Sequence, residues 1–500
     1  MFAASFAFVA AMLLQDPSAT TRARELTLDE VLRTALANDL TLQIEEVASE
    51  TAEYTYRGSW GEYDPVWRTS LSYDNFEREV ETNQPPPVPA TVDITSETWG
   101  FTTGVNYPIP LGGAFDVSLR HQANATTFSS PSPSISDTLA LTFTQPLLRG
   151  AGIPYGTSIQ KENFERLQRQ YERVRQARQD LVKRVSDAYW DLVASLEQLK
   201  VAQETLALGR EQLEQNRRRL AAGVGTEVEV LQADTNVAQR IEQELARQVA
   251  WRNAADRLKG LMYPGTDPAT WELALEPVSS LPDIAASGIP TWAAALQVAL
   301  DRRPKLRAQQ FEIEAAQESH DRAMSDSRSL LDFVVGASNS ALDGGEGDAL
   351  RDATSYSHFQ DQPAYSASFT FNLPIGNRTR DFAERSARAA VRSARLVYDQ
   401  IESQIVEEVR TAVRNAQYSI EAVRAAGAST ELARRQLAAE QARYREGLST
   451  NFQVLQFQQQ LAETLYSQTL ARANLAKAAT ALERAQGTLD GPKPDRKSVV

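Results

Sequence analysis

The chain has 500 residues, with three histidines, His121, His320 and His358, in three separate segments, and no cysteine. That excludes a thiol nucleophile, a disulfide and a thiolate metal site, and each lone histidine reads as a surface or loop residue. The acidic pairs Asp29-Glu30 and Glu45-Glu46 sit in amphipathic stretches and read as solvated faces. DGGEGD (343–348) is one off-pattern copy of a calcium-type glycine repeat and reads as a hairpin loop. No phosphate loop, dinucleotide fingerprint or serine elbow occurs. The sequence therefore predicts no catalytic residue, no metal and no cofactor.

Two other sets of polar residues have a spacing that suggests a task. Glu229, Gln232, Asn236, Gln239 and Gln243 recur at intervals of three and four, as do Gln453, Gln456, Gln460, Glu463 and Ser467. On a helix each set forms one continuous face. Such a face can line a wet passage and hold ions or water, or it can simply be the solvated outside of a helix; by pattern alone the outside is the simpler reading. Each set follows a glycine-containing turn, Gly223-Val224-Gly225-Thr226 or Gly447-Leu448-Ser449-Thr450. The glycines fit helix C-caps.

The elements that carry these faces occur twice. LTLDEVLRTALANDLTL (26–42) realigns on PTWAAALQVALDRRPKL (290–306) at an offset of 264, and GVGTEVEVLQ (223–232) on GLSTNFQVLQ (447–456) at an offset of 224. Two halves with one element order follow. The fall in offset, 264 − 224 = 40, predicts an insertion in the first half.

Each half contains a long helical hairpin. No proline interrupts 158–222, where Val185, Leu192, Leu199, Leu206, Leu213 and Leu220 keep a heptad. The second seam, Leu181, Ala188, Ser195, Ala202, Gly209 and Asn216, is mostly small or polar and lets helices approach closely. In the other half Val409, Ala416, Val423, Thr430, Leu437 and Tyr444 hold the matching register. At 1.5 Å per residue the outgoing helices span about 95 and 100 Å, and the returning ones about 55 Å each.

Between the helices the period changes from 3.6 to 2. Trp67, Leu71 and Tyr73, then Leu141 and Phe143, then Phe333, then Phe369 and Phe371, alternate with small polar residues. That alternation suits a barrel with a lipid face and a wet lumen, and equally an ordinary sheet with one buried face. Two further strands, 99–107 and 114–121, are joined by the tight turn PIPLGG and flanked by long loops at 80–97 and 122–136. Six strands per chain are expected.

Formal net charge is −13, from 52 basic and 65 acidic residues, which disfavours nucleic acid as a partner. Residues 2–14 form an apolar run too short to span a bilayer, and 1–20 read as a secretory signal. No other window is apolar enough for a membrane helix. The expected layout is a signal at 1–20 and a first repeat over 25–262. That repeat holds a helix at 27–62, strands at 66–146 with the extra hairpin at 98–122, and a helical hairpin at 158–262. A linker at 263–289 leads to a second repeat over 290–487, with a helix at 291–328, strands at 330–373 and a hairpin at 379–487. A disordered tail at 488–500 closes the chain.

With these segments in order, the chain resembles the TolC-like outer-membrane factor family over about residues 25–487. The carriers are LTLDEVLRTAL and PTWAAALQVAL, the strand-to-helix passages FTQPLLRG (143–150) and FTFNLPIGNR (369–378), and the turns RLAAGVGTEVEVLQA and RYREGLSTNFQVLQF. The resemblance implies an α+β membrane protein: a homotrimer whose strands share one outer-membrane β-barrel and whose helical hairpins form a periplasmic tunnel. It implies a passive duct for efflux or type I secretion, not an enzyme, coupled to a periplasmic adaptor and an inner-membrane pump. It places a constriction at Glu229, Gln232, Gln453 and Gln456, and adaptor contacts at Gly223, Val224, Gly225, Thr226, Gly447, Leu448, Ser449 and Thr450. Relatives with aspartates at the positions of Gln453 and Gln456 hold acidic rings that this sequence lacks there. The alternative is a periplasmic or surface coiled-coil scaffold without a channel.

Overall fold

The computed structural model describes residues 24–81, 91–127, 134–281, 288–343 and 363–492. The expected signal at 1–20, most of DGGEGD, His358 and residues 493–500 lie outside them. The chain divides into two units. One comprises Met1–Val47, Glu172–Arg307 and Gln400–Val500; the other comprises Ala48–Tyr171 and Ala308–Asp399.

The first unit is helical. Helix α1 (Leu28–Asn38) opens with a capping box: Thr27 Oγ1 accepts from the Glu30 amide, and the Glu30 carboxylate accepts from the Thr27 amide at 3.1 Å. It stops at Asp39, whose backbone is extended and whose carboxylate takes the Leu42 amide at 2.9 Å, starting α2 (Leu40–Ser59). In the second half α5 (Trp292–Arg302) and α6 (Pro304–Asp326) part at Arg303, 264 positions after Asp39. Here the following proline keeps Arg303 out of the helical region. The unbroken helices expected over 27–62 and 291–328 are thus each two helices. An aspartate that competes for helical amides makes one break, and a proline makes the other.

The four long helices are α3 (Ser158–Ala221), α4 (Glu227–Met262), α7 (Arg378–Arg445) and α8 (Asn451–Gln486). Their heptad positions form the core. Val185, Leu192 and Leu206 are buried, as are Val409, Ala416 and Leu437. Leu220, at the end of its series, is 39% exposed. Tyr189 is fully buried among Val31, Ala35, Leu258 and Met262, and its hydroxyl donates to the Leu26 carbonyl at 3.1 Å. Leu26 ends a short strand, β1 (Arg24–Leu26), which pairs in parallel with β6 (Leu275–Pro277) inside the segment read as a linker. Buried Arg303 donates to the Arg484 and Ala485 carbonyls at the end of α8 and pairs with Glu408; the Arg484 carbonyl also accepts from the Gly487 amide. Residues 488–492, expected as the start of a disordered tail, are packed. Leu489 joins the core, and Arg178 donates to the Pro492 carbonyl at 2.7 Å.

The second unit holds an antiparallel sheet of six strands in the order β2-β3-β4-β5-β7-β8. They are β2 (Val66–Glu81), β3 (Thr91–Pro108), β4 (Ala114–Thr126), β5 (Ser134–Pro146), β7 (Leu330–Asp343) and β8 (Pro363–Asn372). The extra hairpin lies within the sheet, between β2 and β5. Its strands run further than expected and take in much of the segments read as loops, because Thr91–Thr98 and Gln122–Thr126 find partners on adjacent strands. At the tight turn, Gly112 has φ +85°, and a Cβ there would lie 2.0 Å from the Gly150 carbonyl oxygen, so only glycine fits.

Between α3 and α6, burial, a hydrogen bond with Glu314 and the charge of Glu318 push the Glu165 carboxyl up to about 7. A carboxyl with a raised pKa favours the folded state below its ordinary value near 4.5 and loses that contribution as pH climbs through about 7. Glu165→Gln should therefore lessen the fall in melting temperature between pH 5 and pH 8. Identical slopes for the two proteins would remove Glu165 from the acid response.

Candidate functional site

The two helical turns share one backbone plan. Gly223 (φ +72°) and Gly447 (φ +75°) end the outgoing helices in left-handed backbone, and a Cβ at either position would meet nothing within 4 Å. The Gly223 and Val224 amides donate to the Leu220 and Arg219 carbonyls, and the Gly447 and Leu448 amides to those of Tyr444 and Arg443. This is the paired closure that a C-terminal glycine permits. Val224 and Leu448, just beyond, are 68% and 65% exposed. An apolar side chain is thus presented at each turn, beside Gly225 in one and Ser449 in the other.

Thr226 and Thr450 then start the returning helices with capping boxes. The Glu229 carboxylate accepts from the Thr226 amide at 3.0 Å, while the Glu229 amide donates back to Thr226 Oγ1. Gln453 Oε1 accepts from the Thr450 amide at 3.5 Å and from Ser449 Oγ at 2.8 Å. Two of the four residues expected at a constriction are therefore occupied in holding the first turn. The signal was present in the sequence as Thr-x-x-Glu and Thr-x-x-Gln. Glu227 and Glu229 also place negative charge at the positive end of α4, whereas α8 has no acid in its first turn.

The other two expected residues, Gln232 and Gln456, are exposed one turn further on. The structure brings them together in a groove of about 540 Å³ between α4 and α8, with Gln239 and Gln459 and the exposed side chains of Leu231 and Phe452. Deeper along the same pair of helices, Asn236, Gln239, Gln243 and Glu463 line a second recess of about 310 Å³. Gln232, Asn236, Gln239 and Gln243 of the first stripe thus share recesses with Gln456 and Glu463 of the second, whereas Gln460 lines neither recess and Ser467 lines another one, with Asn415 and Lys477.

Polar residues under the heptad seams tie the hairpins together. Gln212 Nε2 donates to Asn216 Oδ1 at 3.1 Å and to Asn451 Oδ1 at 3.0 Å, and the Tyr444 hydroxyl donates to Asn216 Oδ1 at 3.2 Å. Asn216 Nδ2 reaches the Glu229 carbonyl at 3.2 Å. Arg240 is 5% exposed; it donates to the Thr205 carbonyl, to Asn236 Oδ1 at 2.6 Å and to Gln458 Oε1 at 3.0 Å. Burial lowers its pKa from the ordinary arginine value. One side chain so links α3, α4 and α8. Its burial had no sequence signal, because its neighbours come from three helices.

On the sheet, the aromatic and aliphatic residues singled out by alternation share one face. The register sets Tyr73 beside Trp99, Leu71 beside Phe101, Phe143 between Phe115 and Val335, and Phe333 beside Phe369. Trp67, Leu71, Tyr365, Phe369 and Phe371 are 60–75% exposed there. The opposite face carries Ser70, Thr102, Ser118, Thr142, Ser338 and Ser368. His121, on the apolar face, hydrogen-bonds through Nδ1 to Asp137 at 2.7 Å, and His320 Nε2 meets Glu384 at 3.0 Å. Among the described residues no three candidate ligands converge on a metal position, and no helix is long and apolar enough to cross a membrane.

The model of the outer membrane efflux protein family matches residues 114–262 and 295–488. Solved structures share the fold. The outer-membrane channel OprN is 19% identical over 93% of this chain and 91% of its own, with a TM-score of 0.66. VceC from Vibrio cholerae is 16% identical over 92% and 96%, with a TM-score of 0.63. The CmeC outer-membrane channel of Campylobacter jejuni is 14% identical over 94% and 87%, with a TM-score of 0.65. No sequence among the curated proteins matches this chain.

Proposed function

Because the chain belongs to the outer membrane efflux protein family, and is by that membership an outer-membrane channel of a tripartite efflux system, we propose that it works as a homotrimer whose sheets close one barrel and whose helical hairpins dock a periplasmic adaptor. The sheet carries this reading. Its order begins at β2 and ends at β8, two edges that one copy leaves open. Open edges cannot persist in lipid, so the strands need neighbours. β2 and β8 run in opposite directions, so β8 of one copy can extend β2 of the next in the antiparallel sense used throughout. The apolar face, with Trp67, Leu71, Tyr73, Leu141, Phe143, Phe333, Phe369 and Phe371, then meets lipid, and the serine and threonine face lines the lumen. A coiled-coil scaffold has no use for such a sheet. Crosslinking in detergent should give a ladder ending at three copies; a monomer as the only folded membrane form would sink the proposal.

The turns are the proposed adaptor contacts, through Gly223, Val224, Gly225 and Thr226 and through Gly447, Leu448, Ser449 and Thr450. The passage is proposed to narrow where Glu229, Gln232, Gln453 and Gln456 lie, with the pump reached through the adaptor. Gly223→Val with Gly447→Val should abolish coupled export while leaving trimer yield near normal. Each turn needs positive φ, so a local cost of about 1 kcal/mol per site is also expected. Unchanged export by the double variant would rule out an adaptor role for the turns.

A further inference from the structure

The internal repeat accounts for four of the six strands. β2 and β7 begin at Val66 and Leu330, 264 residues apart; β5 and β8 end at Pro146 and Asn372, 226 apart. The first interval equals the offset of the preceding helices, and the second nearly equals that of the turns. Nearly all of the difference, 264 − 226 = 38 of 40 residues, therefore enters between β2 and β5, where β3 and β4 lie without a counterpart in the second half. These two strands are in unbroken register with their neighbours: β2 with β3 from Val66↔Asn106 to Glu81↔Thr91, and β4 with β5 from Ala114↔Thr144 to Asn124↔Ser134.

Face parity is preserved across the insertion. Trp67 meets Val105, Val105 meets Val117, and Val117 meets Leu141, all on the apolar face. One residue along, Arg68, Gly104, Ser118 and Ala140 share the polar face. Without the pair, β2 would meet β5 with its faces already matched, and still antiparallel. A strand pair that can be added or removed without turning any side chain to the wrong side is a unit of barrel width.

We infer that the β3–β4 hairpin widens the outlet: the barrel closes with three times six strands, eighteen, where the repeated strands alone supply twelve. The inference rests on the trimer proposed above. With strands about 4.8 Å apart and tilted by about 40°, eighteen strands enclose a backbone diameter of about 36 Å, against about 24 Å for twelve. Eighteen is also in the range that leaves an open aqueous channel. Across the polar face the hairpin contributes both Asp116 and Arg120, and β2 both Arg68 and Asp74, so no single sign of charge prevails there. The clear passage is narrower than the backbone by the length of the inward side chains, yet an eighteen-stranded wall with mixed charge leaves the sorting of solutes chiefly to the helical hairpins. The exported class can include solutes too bulky for a twelve-stranded outlet.

The trimer in lipid nanodiscs, with its mass measured and the barrel imaged by electron microscopy, tests this. The intact protein should show a barrel about 36 Å across. A variant in which Asn-Gly replaces residues 75–133 joins Asp74 to Ser134, which the register puts in one row, and should remain trimeric with a barrel of about 24 Å. A trimer whose intact barrel is already near 24 Å would overturn the inference and leave the trimer standing. A particle of another mass would overturn the trimer instead. If the shortened chain does not fold, labelling of the intact length decides. The chain has no cysteine, so Val117→Cys should react only with a membrane-confined maleimide and Ser118→Cys with an aqueous one. Aqueous reaction at both positions would put the hairpin outside the wall.

Discussion

Leu141→Arg should eliminate the assembled, heat-resistant form from the outer membrane, while Ala140→Arg, one residue away, should assemble. Leu141 lies on the apolar face between Val117 and Ala337, and Ala140 on the polar face between Ser118 and Ser338. An arginine facing lipid near the bilayer midplane costs about 2–4 kcal/mol. A trimer carries three such groups, so the total is of the order of a domain's whole net stability. An arginine facing a wet lumen bears little of that cost. The readout is heat-modifiable migration of detergent-extracted outer membranes. Normal assembly of both variants would mean that the sheet does not sit in lipid, and loss of the Ala140 variant alone would mean that its faces are reversed.

Gln232→Glu with Gln456→Glu should shift the channel strongly toward cations. In a trimer the pair adds six carboxylates around one passage, and rings of like charge govern selectivity in narrow pores. These two positions suit the test because neither caps a helix, whereas Gln453 and Glu229 both do. Glu229→Gln removes charge but keeps a side chain that can complete the capping box, so selectivity should move toward anions without loss of the turn. In planar bilayers the doubly acidic protein should be blocked more readily by multivalent cations, and the difference should fade at high salt, where the Debye length is about 3 Å at 1 M. If reversal potentials at low salt are the same for all three proteins, the cleft between α4 and α8 faces away from the passage.

Features set by short-range periods were legible in the residues. The heptads through Val185 and Val409 mark helices because a 3.6-residue turn returns a side chain to one face. The alternation through Leu141 and Phe143 marks strands because a strand does so every second residue. The doubled turns are visible as strings, GVGTEVEVLQ and GLSTNFQVLQ, and their offsets alone reveal an insertion in the first half. The Thr-x-x-Glu and Thr-x-x-Gln boxes are equally local, and they assign Glu229 and Gln453 a capping role without any long-range information.

The tertiary structure decided whatever depends on residues far apart in sequence. Alternation cannot say which strand lies beside which, so the place of β3–β4 between β2 and β5 emerged only from hydrogen-bonded register, and that order is what bears on the width of the barrel. Glutamine spacing cannot say what a helix face looks at; Gln232 and Gln456 share a groove because two helices 224 residues apart in sequence pack side by side. Arg240 would be read as solvated from its neighbours in sequence. It is buried because α3 offers it the Thr205 carbonyl and α8 the Gln458 amide, and a charge leaves water only where such partners have already been gathered from several elements.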